Sequence, residues 1–522
     1  MRSSLSSIGK ALPGVFAVVA VFALFCFCGP PQAEAIETNV PGLNVTGYLN
    51  QSASYALHTG RPDNKDGFNS FLMQGVLETR YEAAPNMVMF NSLKLNADWA
   101  YGIYSGNNEW NDKGFGKARD RLFVYNKFRD VVGEAHMTWK PSDRWYLRFG
   151  KQIVQWGQTD GFLLMNQINP VDSRRGISDV EFESTIIPIW LIRAEYKPPL
   201  ESTWLRDLNI QFIFNPNADF AKNETIELGA DYSGVWNPYV EAVPNVAYLG
   251  RYRDQVSEPD AWDPQGHAFG LKVSGTVGDA MVSLNGYYGR SHDVARSGAL
   301  GADLTPFKWD PAWMILHPYY DAYYPYFRFV GGTFSKDLDS LRASVLGGVA
   351  PVLRFEGMYA FNSTFSTNNN NIAQYMQEQD NTYWTSDEYR WMVGMDWKVK
   401  IDALNPKAFF MISPQFYHRH IVDFPKEGYV GTPTGDIQYQ NTYTTTLMIN
   451  TTYLHNKLQP SIFWLRNWST RSEFYRPQLS YEYSDKWKYT IGAIIVSGEK
   501  VAQDMQPFNY KDHIYTTVSY KF

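Results

Sequence analysis

The sequence predicts an all-β protein, a transmembrane antiparallel β-barrel of about eighteen strands, on the strength of three observations. After residue 35 no apolar run is long enough for a membrane-spanning helix, yet aromatic residues make up 16% of the 522-residue chain. Segments of alternating apolar and polar side chains recur along its length, as expected for strands with lipid on one side and a polar lumen on the other. The chain also ends on such a segment, with Phe522 as its last residue.

The alternating segments reach the ~9–11 residues that a tilted strand needs to cross a bilayer. In 388–402, for example, Trp391 and Val393 point to one face and Arg390 and Asp396 to the other, because successive side chains of a strand alternate. The candidate strands are residues 43–58, 69–82, 87–103, 131–139, 144–156, 188–198, 206–215, 265–277, 279–290, 322–336, 340–357, 388–402, 407–418, 438–455, 458–468, 472–484, 486–498 and 510–522. An even number suits a single-chain bacterial barrel.

Two of these segments, 131–139 and 458–468, alternate weakly and could belong to loops. Sixteen strands are therefore the alternative count.

The connections alternate between short and long. If the first strand runs outward, every second connection is a compact stretch such as EAAPN, KPSDR or DALNPK, which has the chemistry of tight turns. The intervening connections are mostly long and include 104–130, 157–187, 216–264, 291–321 and 361–387. This asymmetry predicts short periplasmic turns and long extracellular loops.

The connection 157–187 is expected to fold into the lumen. Eighteen strands otherwise leave a wide aqueous channel, and a long loop of mixed charge can narrow it. The alternative is an extracellular lid held by exposed ion pairs, which contribute little stability.

Residues 1–35 are predicted to be a secretory signal peptide and residues 36–522 the barrel. A basic start precedes an uncharged apolar run, and an Ala-Glu-Ala sequence offers a cleavage site after Ala35. The alternative is a retained membrane anchor over 11–29, which is almost long enough to span a bilayer.

Charge and cysteine content exclude several classes of function. Loss of the signal peptide moves the formal charge from -6 to -7, and a mildly acidic chain is not expected to bind nucleic acid, since phosphate binding requires a strongly basic surface. Both cysteines lie in the signal peptide, so no thiolate metal site is expected, and no cofactor. Enzyme activity is not expected either: Ser291, His292 and Asp293 stand close together in a predicted loop, but triads assemble in space, not by adjacency in sequence.

Twelve residues are candidates for the lining or constriction of the pore. Charges at bilayer depth are costly unless paired or hydrated, so those in strands should face a wet lumen or each other. Opposed charges in the inward loop would set ion selectivity. The candidates are Arg148, Gln152, Trp156, Asp172, Arg174, Arg175, Arg193, Glu195, Arg354, Glu356, Arg390 and Asp396.

The last strand resembles the carboxy-terminal assembly signal of outer-membrane barrel proteins. Ile514, Val518, Tyr520 and Phe522 share one face, and the chain ends on the aromatic residue. The resemblance implies recognition by the barrel-assembly machinery of a Gram-negative bacterium. It also implies a place in the outer membrane, in contact with its lipid and lipopolysaccharide.

The segment 148–176 carries a more specific resemblance. A strand ends in Gly-Lys-Gln, Trp-Gly follows after three residues, and a loop then carries Ile-Asn-Pro-Val-Asp; these residues are Gly150, Lys151, Gln152, Trp156, Gly157, Ile168, Asn169, Pro170, Val171 and Asp172. The pattern resembles the hallmark of an uncharacterised family of large Gram-negative outer-membrane proteins, known as a domain of unknown function. Where the family often has more glycine between the two halves, this chain has FLLMNQ.

The resemblance implies a β-barrel with a folded-in loop. It also implies a link, through gene context, to exporters of the resistance–nodulation–division type and to lipoprotein-like carriers. A periplasmic carrier or exporter is therefore an expected partner, and hydrophobic molecules an expected cargo.

These features together predict an outer-membrane channel or transporter, porin-like, that passes solutes. One alternative is a conduit for hydrophobic molecules or lipids that works with an inner-membrane exporter. Another is a barrel scaffold that holds a periplasmic partner such as an electron-transfer cytochrome, whose haem would be its own, because the chain has no CxxCH site.

Overall fold

The computed structural model describes residues 40–61, 64–161, 163–176, 182–200, 202–225, 235–236, 253–296, 307–310, 315–342, 347–366, 383–424, 439–500 and 504–522. The predicted signal peptide lies outside the described residues.

Eighteen antiparallel strands form one closed barrel. Each strand pairs with the next, and the last pairs with the first, from Tyr48 opposite Lys521 to Ala56 opposite His513. Closure leaves no strand edge unpaired. In chain order the strands are β1 Leu43–Ala56, β2 Leu72–Ala84, β3 Met87–Asp98, β4 Val132–Ser142, β5 Trp145–Gln152, β6 Ile189–Tyr196, β7 Leu205–Asn215, β8 Ala268–Val277, β9 Ala280–Arg290, β10 Tyr326–Asp337, β11 Val352–Ser366, β12 Tyr383–Val399, β13 Phe410–Ile421, β14 Asn441–Asn450, β15 Leu458–Asn467, β16 Ser472–Glu482, β17 Trp487–Gly498 and β18 His513–Lys521.

The predicted fold class is confirmed, and eighteen is the correct count. The weakly alternating segments 131–139 and 458–468 are the barrel strands β4 and β15, so the sixteen-strand alternative is wrong.

The strand β11 departs furthest from its predicted bounds. The sequence predicted 340–357, whereas the strand spans Val352–Ser366. A 3₁₀ turn at Asp339–Leu341 and positive φ angles at Gly347 and Gly348 occupy the start of the predicted segment. An extended strand cannot pass through such angles, so β11 begins after them.

Short turns and long loops lie on opposite rims, as predicted. Connections such as 85–86, 143–144 and 278–279 lie at one rim, and the long connections begin and end at the other, where 468–471 is a short exception. The short helices are Ala100–Ile103, Asn108–Asp112, Arg119–Leu122 and Phe128–Val131, with 3₁₀ turns at Phe115–Ala118, Phe182–Thr185, Pro264–Gly266, Asp339–Leu341 and Gln506–Phe508. The short strands outside the eighteen are Phe68–Ser70, which extends β2, and Arg253–Ser257, Ala295–Arg296, Phe307–Asp310 and Ile315–Tyr323. Among the described residues, no helix has both the length and the apolar character to cross a membrane.

The outer wall of the barrel is apolar. Leu284 is 74% exposed, while its sequence neighbours Ser283 and Asn285 are buried in the interior, and Val330 of the next strand is 51% exposed. Outward apolar side chains that alternate with inward polar ones are what a lipid-facing barrel wall requires.

The terminal Phe522 closes the seam between β1 and β18. Its backbone exchanges hydrogen bonds of 2.9 and 3.0 Å with Gly47, and its ring lies against that glycine, where a Cβ would come within 2.6 Å of it. The same Cβ would lie 2.4 Å from the Val76 carbonyl oxygen. The last residue is therefore part of the seam, and only glycine fits beneath it.

Candidate functional site

The described residues of the connection between β5 and β6, which are 153–161, 163–176 and 182–188, fold into the lumen, as predicted. Its apolar side chains join the inner wall of β6–β13 in one buried cluster. The loop contributes Val154, Trp156, Leu164, Met165 and Ile168, and the wall contributes Leu191, Ile213, Ala268, Tyr287, Phe329, Met358, Met392 and Tyr417. The loop therefore packs against one half of the barrel wall instead of crossing open water.

Asn169 joins the two ends of the loop, near Gln152 and near Ile187, by hydrogen bonds. Because the loop has little regular secondary structure, its backbone groups need side-chain partners. Asn169 Oδ1 accepts from the Val154 N–H at 2.8 Å, and its amide donates to the carbonyls of Gln152 and Ile187 at 3.1 and 2.9 Å. Asn166 accepts two further N–H groups, both at 2.7 Å, nearer the tip. Two residues thus hold the loop in shape.

Glu356, in β11, fastens the tip of the loop to the wall. Its carboxyl oxygens accept from the N–H groups of Gln158 at 2.5 Å and Met165 at 2.8 Å, and the residue is fully buried. Gly157 packs against this carboxyl, where a Cβ would lie only 2.6 Å from an oxygen. The approach of loop to wall therefore depends on Glu356 and on the absence of a side chain at 157.

A second anchor centres on Arg354. Its guanidinium lies 2.7 Å from Asp160 of the loop and 2.7 Å from Asp396 of β12. Asp160 also accepts from the Gln415 amide at 2.6 Å. Of the predicted candidates, Arg354 and Glu356 bind the loop directly, and Asp396 binds Arg354.

Arg174 and Arg175 lie near the other end of the loop, each in an ion pair. Arg174 is 2.7 Å from Asp130 and 2.6 Å from Asp172; burial alone would lower its pKa, but the two carboxylates outweigh burial and raise the pKa above the usual range. Arg175 is 2.7 Å from Asp98, whose side chain is fully buried.

Replacing Arg175 by Met should lower the free energy of unfolding by about 3–5 kcal/mol, because Asp98 would keep a buried charge without its cation. Urea unfolding of the refolded barrel, followed by tryptophan fluorescence, measures the change. Arg342→Met is the matched control, since its pair with Asp339 is more than half exposed and should contribute less than about 1 kcal/mol. Equal losses in the two variants would contradict the assignment.

Arg193 and Glu195 form a separate group on the inner face of β6. Arg193 Nε donates to Glu195 Oε1 at 2.6 Å, and Glu195 also accepts from the Gln211 amide at 3.0 Å. Gln211 in turn accepts from the Trp156 indole N–H at 2.6 Å. This chain of hydrogen bonds connects the wall to the root of the loop.

The remaining candidates lie apart from these groups. Arg148 donates to Thr138 Oγ1 at 3.2 Å, Gln152 donates to a carbonyl of β6 at 3.0 Å, and Arg390 pairs with Glu388 of its own strand at 2.6 Å. The twelve candidates therefore form several local groups and no single ring of charge.

The half of the lumen that the loop leaves open holds a cavity of about 980 Å³. The loop presents polar groups to it, among them Gln155, Gln158, Thr159, Asn166 and Ser173. Of the predicted candidates, Asp172, Arg175, Arg354 and Asp396 line it. Its volume is at the upper end of the range for small-molecule sites.

Four inward-facing apolar residues of β14–β16 line the cavity and were not among the predicted site residues. They are Met448 of β14, Phe463 and Leu465 of β15, and Phe474 of β16. The pairing register places Met448 opposite Phe463 and Leu465 opposite Phe474, so all four share the inner face. These four residues form the apolar strip. A signal was present in β15, where apolar residues occupy both faces, but alternation alone does not say which face is inside.

The part of the chain that the structure describes contains no group of three or more His, Cys, Asp or Glu side chains placed to hold a metal ion.

A closed barrel with an apolar outer wall and a lumen narrowed by an inward loop defines an outer-membrane β-barrel of porin-like fold. The chain belongs to the family described as a protein of unknown function (DUF1302), whose model matches residues 17–522. No curated protein matches the chain.

Three solved structures are similar to this chain in fold. OmpT, an outer-membrane protein of Vibrio cholerae, has a TM-score of 0.37 at 9% identity, covering 92% of this chain and 99% of that one. OpdK of Pseudomonas aeruginosa, crystallised with vanillate, has a TM-score of 0.44 at 7% identity, covering 92% and 98%. OccAB1 of Acinetobacter baumannii has a TM-score of 0.46 at 8% identity, covering 94% and 99%.

Proposed function

We propose that this protein is a channel of the Gram-negative outer membrane that passes small solutes through the cavity beside the inward loop. The observation that carries the proposal is the division of the lumen: the loop fills one half with an apolar core and leaves about 980 Å³ in the other half.

The loop and the wall meet at Gly161. Its backbone has a φ of +81°, and the ring of Phe463 lies so close that a Cβ on the glycine would come within 2.8 Å of it. The loop tip thus touches β15, and in this proposal solutes pass beside that contact, through the cavity that the loop narrows. A cavity of this size suits a small molecule and offers no room for a protein domain, which favours a channel over the scaffold.

In this proposal the barrel spans the outer membrane, in contact with its lipid and lipopolysaccharide, with the short turns facing the periplasm. The strand that ends at Phe522 would be recognised by the barrel-assembly machinery. A periplasmic carrier or exporter would meet the rim of short turns.

The proposal includes no catalysis. Both ring nitrogens of His292 face backbone carbonyls, at 2.7 Å from Ala221 and 2.9 Å from Gln167. Ser291 Oγ accepts from the Asp293 N–H at 3.1 Å. His292 and Ser291 thus bind backbone groups of the loops, and the Asp293 carboxylate accepts from the Asn223 side-chain amide at 2.7 Å, which is not the geometry of a nucleophile and its base.

Proteoliposome swelling with neutral solutes of increasing size tests the proposal. We expect entry of glycerol and glucose and exclusion of large oligosaccharides. Gln158→Trp, which fills the cavity, should slow entry several-fold, whereas Leu284→Trp on the outer wall should not. Absence of swelling with every solute, from protein shown to be folded by its heat-dependent gel mobility, would overturn the channel.

A further inference from the structure

We propose that the cavity binds amphipathic anions, molecules whose apolar body lies along the apolar strip and whose acidic group meets Arg476. The inference rests on the proposed function, since it names the class of solute that the channel selects.

The apolar strip is unusual for the inside of a barrel. Inward positions of a water-filled channel are polar, yet Met448, Phe463, Leu465 and Phe474 form two adjacent rows across β14–β16. Leaving such a surface in water has a free-energy cost that an apolar ligand would remove. The strip is therefore suited to an apolar solute.

The strip is held rigidly in place. Phe474 packs against a buried cluster of Ile494, Val496 and Tyr515 from β17 and β18, and its ring centroid lies 6.2 Å from that of Phe463 in an edge-on arrangement. A surface fixed before binding loses little entropy when a ligand arrives.

Arg476 supplies the charge beside the strip. It stands opposite Phe463 in the register of β15 and β16, and it lines the cavity. Its Nε donates to the Tyr515 hydroxyl at 3.1 Å, and that hydroxyl donates to Gln478 Oε1 at 2.9 Å. The guanidinium is thus oriented by its neighbours, and guanidinium groups bind carboxylates through two parallel hydrogen bonds.

The carboxylates of the same cavity do not oppose this assignment. Asp160 and Asp396 both bind Arg354 at 2.7 Å, and Asp172 binds Arg174. Around Arg354 and around Arg174 two carboxylates meet one guanidinium, so each group keeps a formal charge of -1, while the cavity lining as a whole has three carboxylates and three arginines. Apart from these groups and Arg175, which pairs with Asp98, the loop side of the cavity is uncharged and largely polar, which suits a solute with one apolar and one hydrogen-bonding face.

Three probes with the same apolar body test the inference: 4-phenylbutyrate, 4-phenylbutanol and 4-phenylbutylamine. Saturation-transfer NMR on the full-length mature chain in nanodiscs, with empty nanodiscs as the blank, measures binding without any need for transport. We expect the acid to bind about tenfold more tightly than the alcohol, as for one charge-assisted hydrogen bond, and the amine to bind least.

Variants separate the two parts of the site. Arg476→Gln should remove the preference for the acid and leave the alcohol unchanged, and Arg476→Lys should retain part of the preference. Phe463→Ala should weaken all three probes about tenfold. The controls are Arg471→Gln, an exposed arginine, and Leu479→Ala, on the outer face of β16.

Equal binding of acid and amine, or an acid preference that survives in Arg476→Gln, would overturn this inference. If the probes bind in the expected order but no solute crosses a proteoliposome, the inferred site stands and the channel function falls. If solutes cross but the acid has no advantage, the channel stands and the inference falls.

Discussion

A cysteine placed at Leu164 should react with a water-soluble maleimide about tenfold faster once the anchors Glu356 and Arg354 are removed. Leu164 is buried in the core between loop and wall. Glu356→Gln replaces an oxygen that accepts a backbone N–H with an amide that cannot, and Arg354→Met leaves two carboxylates without their cation. A loss of about 1.4 kcal/mol in the free energy of local opening corresponds to a tenfold faster reaction.

Within residues 29–522 the maleimide can label only the introduced cysteine, because the chain has no cysteine after residue 28. The control is a cysteine at Ile168, next to the Asn169 hydrogen bonds that join the two ends of the loop. The cysteine at Ile168 should still react slowly with the maleimide in the Glu356→Gln, Arg354→Met double variant. Unchanged labelling at Leu164 would mean that these two residues do not hold the tip.

Gly47→Leu should prevent most of the protein from forming a closed barrel. Any side chain at this position meets the Val76 carbonyl and the Phe522 ring at less than 3 Å, and both belong to the strands that flank β1 at the seam. Forcing atoms into a packed contact costs about 1–3 kcal/mol per site, and here the strain falls on the closing pair of strands. The readout is loss of the fast-migrating, heat-sensitive band on a gel.

Gly75→Leu is the matched control for the seam. Gly75 lies in β2 opposite Leu49 on the outer face, and a Cβ there meets its nearest neighbour at 3.5 Å, an ordinary contact. This variant should fold as the wild type does. If Gly47→Leu folds equally well, the terminal ring does not determine closure.

Much of the fold could be predicted because lipid and lumen impose opposite demands on neighbouring residues. A strand was harder to predict where its inward and its outward residues are both apolar. In β15 the inward Phe463 and Leu465 alternate with Ile462 and Trp464, so apolar residues occupy both sets of positions and the segment looked like a doubtful strand. The inward apolar residues that made this strand hard to predict are also part of the apolar strip in the cavity.

The site was predictable only in part. The inward loop followed from the width of an eighteen-stranded barrel, and pairs on one strand, such as Arg193 with Glu195, follow from their spacing. Contacts between loop and wall do not. Arg354 and Asp160 are 194 residues apart and Arg175 and Asp98 are 77 apart, and their meeting depends on the path of the loop across the lumen, which no local pattern encodes.

The central claim is that a channel passes beside an inward loop, and the single-channel conductance of the purified mature chain in a planar bilayer tests it most directly. We predict stepwise, ohmic openings whose conductance rises several-fold when residues 158–165 are replaced by a short Gly-Ser link. Silent bilayers from folded protein would contradict the channel, and a conductance that the shortened loop leaves unchanged would contradict the constriction.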